Sequence, residues 1–171
     1  MKKNLLYLAA LICCTLALTA CGSDDEPSVT TTGTYTLTFG ANIHDAASII
    51  IYYRSDNGTP RFEALPAGTF RWTKTVAQSD YPADFGVKLV VSPKSTSDLT
   101  FDSYDIAIHA EIATTTDGKS RHQNMTDIIE AGSVNRDQVE AKLRSVNGKV
   151  FGYRVERDGN SSSNDRMSFD L

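Results

Sequence analysis

Apolar and polar residues alternate with a period of two through most of this chain. Tyr35, Leu37 and Phe39 alternate with Thr34, Thr36 and Thr38, and the same spacing recurs in Phe85, Val87, Leu89 and Val91. It continues through Tyr104, Ile106, Ile108, Ala110 and Ile112, then Phe151, Tyr153 and Val155, and last Met167, Phe169 and Leu171. Side chains alternate across a strand, so each set marks one buried face. Ala47–Arg54 is apolar at both parities around Ile49, Ile50 and Ile51, which places it centrally in a sheet. Asn57-Gly58 and Asp117-Gly118 tolerate the positive φ angles of tight hairpin turns, and the second turn folds Lys119–Asn124 back on Tyr104–Thr116. Pro60 has no N–H to give a central ladder, so the strand after the first turn is predicted at an edge.

One segment carries a helical period. In NRDQVEAKLRSVNG, Asn135 with Gln138 has the pattern of a capping box, Val139, Leu143 and Val146 share a face, and Asn147-Gly148 stops the run. The apolar stripe is narrow, so this helix, about residues 136–146, is expected to cover an open end or edge of a sheet. About eight short strands and one short helix predict an all-β fold, an antiparallel β-sandwich of immunoglobulin-like type. A small β-barrel is the alternative closure of the same strands. Asp158–Asp165, DGNSSSND, reads as a flexible loop before the last strand.

The N-terminus breaks this pattern. MKKN is followed by an apolar run with no charge between Lys3 and Asp24, the order of a secretory signal. Asn4–Ala20 is a little short of the roughly 20 apolar residues that span a bilayer. Leu18-Thr19-Ala20-Cys21 resembles the bacterial lipobox. The resemblance implies that residues 1–20 are a cleaved lipoprotein signal peptide and that Cys21 becomes the first mature residue, carrying diacylglycerol and fatty acid such as palmitate. Each buried CH₂ contributes about 0.8 kcal/mol, so two or more chains hold firmly. The acidic run Ser23-Asp24-Asp25-Glu26 resembles the export signal of cell-surface lipoproteins of Bacteroidetes-type bacteria, which implies an outer-membrane anchor facing the extracellular side. The competing readings are a plain solvated tether and a periplasmic orientation. On this division residues 21–33 are lipidated cysteine and flexible acidic tether, and residues 34–171 are a single domain.

Composition narrows the partners. Without Lys2 and Lys3 the mature chain has 15 basic and 21 acidic residues, a formal net charge of −6. That balance argues against nucleic acid and against electrostatic binding to anionic lipid. Cys13, Cys14 and Cys21 are the only cysteines, so no disulfide or cysteine zinc site is expected in the mature domain and the fold rests on its packed core.

Candidate chemistry is sparse. His109 and Glu111 sit two apart on one strand face, the start of a metal site, yet zinc wants a third protein ligand and neither His44 nor His122 is brought near by sequence. The run from Asp158 to Asn164 spaces oxygen ligands as a calcium loop does, but Ser163 stands where that loop needs glycine and Phe169 where it needs glutamate. No nucleophile elbow, free cysteine or phosphate loop is present, and acid pairs such as Asp102 and Asp105 fix no separation in space. Sugar binding uses exposed aromatic rings. Parity sends Phe70 and Trp72 inward with Val76 and leaves Tyr52 and Tyr81 as ligand-binding candidates, against the plainer reading of Tyr52 as packed under the helix and Tyr81 as a loop plug. These observations predict a lipid-anchored, cell-envelope binding module for a glycan or protein ligand, with no cofactor beyond the lipid and no catalysis. A structural subunit of an outer-membrane protein complex and a hydrolase with an unrecognised carboxylate or metal site are the alternatives.

Overall fold

The computed structural model describes residues 29–170. In chain order its elements are β1 (Thr31–Phe39), α1 (Ile43–Ala46), β2 (Ala47–Arg54), β3 (Pro60–Ala64), β4 (Arg71–Gln78), β5 (Ala83–Pro93), β6 (Ser103–Asp105), β7 (Ile108–Thr116), β8 (Lys119–Ile129), β9 (Ser133–Asn135), α2 (Arg136–Val146), β10 (Val150–Val155) and β11 (Ser161–Ser163). Sheet A has the order β4-β1-β7-β8, sheet B the order β11-β10-β5-β2-β3, and β6 pairs with β9. All of these pairings are antiparallel. The sheets end in β4, β8, β11 and β3, so the fold is an open sandwich and not a barrel. It is immunoglobulin-like in its two-layer architecture and has its own strand order, with β1 held between β4 and β7.

The predicted inner faces meet. Tyr35 and Leu37 of β1, Ile108 and Ile112 of β7, Ile51 of β2 and Phe85, Val87 and Leu89 of β5 are all buried in one core. Fully burying each of the larger aliphatic and aromatic side chains contributes about 1.5–3 kcal/mol. Asn57 and Gly58 take φ of 54° and 71°, Asp117 and Gly118 take 48° and 75°, and both turns close hairpins as predicted. β3, which opens at Pro60, is the edge of sheet B.

The helix α2 covers an edge, as expected. β10 pairs with β5 only from Ala83 to Lys88. Beyond that point Leu89 N–H donates to Lys149 O at 3.2 Å, Gly148 N–H to Leu89 O at 2.7 Å, and Val91 N–H to the side-chain oxygen of Asn147 at 2.9 Å. Val139, Leu143 and Val146 are buried beneath the helix. The capping box does not form: Asn135 makes no side-chain cap bond. Asp102 O accepts the Arg136 N–H at 3.0 Å instead.

Three boundaries differ from the sequence reading. β1 starts at Thr31, inside the expected tether, with Thr31 buried and Gly33 so close to Phe85 that a Cβ there would sit 2.2 Å from its ring. Thr30 is clipped to the β7–β8 turn, where Asp117 N–H donates to its carbonyl at 3.2 Å. The run Tyr104–Ile112 divides into β6 and β7 because the Asp105 carboxylate accepts the backbone N–H groups of Ala41 at 3.1 Å and Ala107 at 3.3 Å, turning the chain. Ser161–Ser163, expected in a loop, pairs with β10 as β11.

The last alternating run is not a strand. Met167 and Phe169 are buried, but the segment crosses the outer face of sheet B with no ladder of its own. Asn164 N–H donates to Gly152 O at 2.9 Å, and Met167 lies over Gly86 and Gly152, where a Cβ would come within 2.9 Å and 3.2 Å of it respectively. The Arg54 guanidinium stacks 5.6 Å from the Phe169 ring centre and donates to Ser168 O.

Candidate functional site

Tyr52 sits on the outer face of sheet B, directly opposite Phe62 on one neighbouring strand and Lys88 on the other. Its ring centre is 5.5 Å from that of Phe62, with the planes 31° apart, and the Lys88 ammonium lies 5.8 Å from it. Phe62 is 54% exposed, so the row Phe62–Tyr52–Lys88 presents aromatic surface to solvent. The partners of Tyr52 are thus on β3 and β5, not on the helix. Phe62 carried no signal in the sequence: β3 has no buried residue, and only register across the Asn57-Gly58 turn reveals the pairing.

Tyr81 lies elsewhere. Its hydroxyl is 2.8 Å from Thr31 Oγ1, which is itself 2.8 Å from Thr116 Oγ1, and its ring packs on the core at the start of β1. This matches the loop-plug reading, and Tyr52 and Tyr81 do not share a site. Phe70 is corrected outright. It precedes β4, is 46% exposed and meets His44 edge-on at 5.7 Å, whereas Trp72 is buried as predicted.

His109 and Glu111 share the outer face of sheet A, each engaged by its β8 neighbour. His109 Nδ1 lies 2.7 Å from Asp127 Oδ1, and Gln123 donates to Glu111 Oε1 at 2.7 Å. His44 Nε2 bonds Thr69 O at 2.8 Å and His122 Nε2 bonds Gly159 O at 2.6 Å, so the three histidines lie apart. Among the described residues no three His, Cys, Asp or Glu side chains gather at ligand spacing.

Charge chemistry concentrates on the flank between β3 and β4. Glu63 accepts from Lys74 Nζ at 2.6 Å, from the Tyr53 hydroxyl at 2.8 Å and from Trp72 Nε1 at 3.1 Å. The Lys74 bond above all pulls the Glu63 carboxyl down to about 2, and Glu63 raises Lys74 in return. Burial pushes the Tyr53 phenol up. One carboxylate therefore ties the edge of sheet B to the edge of sheet A.

The opposite flank, between β8 and β11, holds a recess of about 170 Å³ lined by His122, Asn124, Tyr153 and the serines of β11. Its back wall is the buried Tyr153, whose hydroxyl is 3.0 Å from Thr114 Oγ1 and 3.4 Å from Ile112 O and whose acidity burial weakens. One sequence signal for it existed: on β8 the positions opposite Thr114, Ile112 and Ala110 are His122, Asn124 and Thr126, polar where an inner face is ordinarily apolar.

Cys21, Ser23, Asp24, Asp25 and Glu26 lie outside the described residues. No helix among the described residues is long and apolar enough to cross a membrane. Comparison of the chain with protein-family models and with curated proteins finds no match.

Proposed function

We propose that this chain is a lipid-anchored module of the bacterial outer surface that binds neutral glycans without catalysis. The observation that carries the reading is the solvent-facing row Phe62–Tyr52–Lys88. Ring faces pack against the apolar CH face of a pyranose, and two adjacent rings span more than one sugar unit. A flanking ammonium donates to hydroxyls without requiring an anionic ligand. The Cys21 lipid holds the module at the membrane, and the acidic run Ser23–Glu26 sorts it outward.

Intact cells displaying the protein test both halves of the reading. They are expected to retain a fluorescent neutral oligosaccharide, to lose it after surface protease treatment, and to lose at least tenfold in affinity with Phe62→Ala, about 1.4 kcal/mol. Cells and detergent-solubilised protein that retain no neutral glycan overturn the binding role. Binding that survives protease on intact cells overturns the outward orientation.

A further inference from the structure

The recess between β8 and β11 has the chemistry of a second, separate site. Directly opposed residues share a face, so Ser161 and Ser163, opposite Val155 and Tyr153, point inward from sheet B toward the inward-facing His122 and Asn124 of sheet A. Among the described residues the Asn124 amide and the Ser161 and Ser163 hydroxyls make no bond to protein. His122 is fixed differently. Gly159 O can only accept, so Nε2 carries the proton, and in the neutral ring Nδ1 remains an acceptor. The wall therefore offers an acceptor, an amide that donates and accepts, and hydroxyls that do both.

Among the described residues no charged side chain lines the recess. An ionic ligand would lose hydration there without gaining a counter-charge. The volume of about 170 Å³ corresponds to five or six waters at about 30 Å³ each, room for a single small ring. Tyr153 supplies a rigid ring wall, held by its bond to β7 and by His122 edge-on at 6.4 Å. We infer that the β8–β11 flank binds one neutral pyranose unit, its hydroxyls taken by Asn124, Ser161, Ser163 and His122. The inference rests on the glycan reading for its ligand class, and it is independent of the Phe62–Tyr52–Lys88 row for its location, since β3 and β11 are opposite edges of sheet B.

The test is NMR titration of the isotope-labelled, lipidated chain in detergent micelles with methyl glycosides of glucose, galactose and mannose. At least one glycoside is expected to shift the Asn124 side-chain amide and the Ser161–Ser163 backbone amides with a millimolar Kd. Asn124→Ala is expected to weaken that binding tenfold or more and Ser163→Ala about threefold, while Phe62→Ala leaves it unchanged. Shifts confined to residues around Phe62 and Tyr52 overturn this site and leave the proposed function standing. No shift with any glycoside at tens of millimolar, combined with retained oligosaccharide on intact cells, likewise overturns this site alone; loss of both removes both. An unlabelled peptide that shifts backbone amides all along His122–Asp127, where sugars do not, assigns the flank to strand pairing and overturns the sugar site.

Discussion

Between β3 and β4 the two sheets are joined through one carboxylate that accepts three hydrogen bonds, whereas between β8 and β11 the facing residues are an imidazole, an amide and hydroxyls around a recess. Both flanks are places where a sandwich must stop, because the strands at each sheet edge pair on one side only. At the first, Glu63 and Lys74 cover Trp72 and Tyr53, whose rings lie 5.4 Å apart, and the apolar interior continues to the rim. At the second, the apolar interior ends one strand earlier, at Ile112 and Tyr153, and polar side chains hold the outermost position. A closed flank serves stability, and an open one leaves hydrogen-bonding capacity for a ligand.

Removing the largest apolar piece of the closed flank breaks this contrast most severely. Trp72→Ala is expected to lower the unfolding free energy by about 3–5 kcal/mol in equilibrium urea titration, since the cavity adds to the lost burial. Glu63→Gln has a smaller effect. Both partners of the ion pair are more than a third exposed, so the charge is worth about 0.2–1 kcal/mol after solvent screening. Its pH dependence is sharper than its size. The Glu63 carboxyl falls from an ordinary 4.5 to about 2 on folding, so its contribution is complete above pH 4.5 and is lost as pH falls toward 2. Thermal melts across that window should show a shallower loss of stability for Glu63→Gln than for the parent chain. Asn124→Ala, on the open flank, is expected to change stability by less than about 0.5 kcal/mol, because among the described residues its amide holds no protein group in place. A larger loss would mark Asn124 as a structural plug and erase the contrast.

Alternation located β1, β5, β7 and β10, the run apolar at both parities located β2, the Asn57-Gly58 and Asp117-Gly118 turns located two hairpins, and the helical stripe located α2 with its role as an edge cover. Register was harder to read. Phe70 shares the parity of Trp72 but lies one residue before the ladder begins, so its ring turns toward His44. Met167 and Phe169 alternate because any extended chain does, and only the glycines beneath them show that the segment lies over a sheet instead of within it. The ring row was half legible: Tyr52 stood out by parity, while Phe62 needed the hairpin register to be placed beside it. The recess draws on β8, β10 and β11, with a helix intervening in the chain, and no local spacing reports that meeting.

The entry of the chain through β1 has a mechanical consequence. From Thr31 onward β1 is bonded to β4 on one side and β7 on the other, through Thr38 and Phe39 respectively. Antiparallel ladder bonds lie perpendicular to the strand axis. Tension applied through the N-terminus therefore loads both ladders in shear, many bonds at once, where an edge strand would peel away one bond at a time. A domain tethered at that end and pulled by whatever it holds would resist as a unit, with the force-bearing strand at the centre of its sheet.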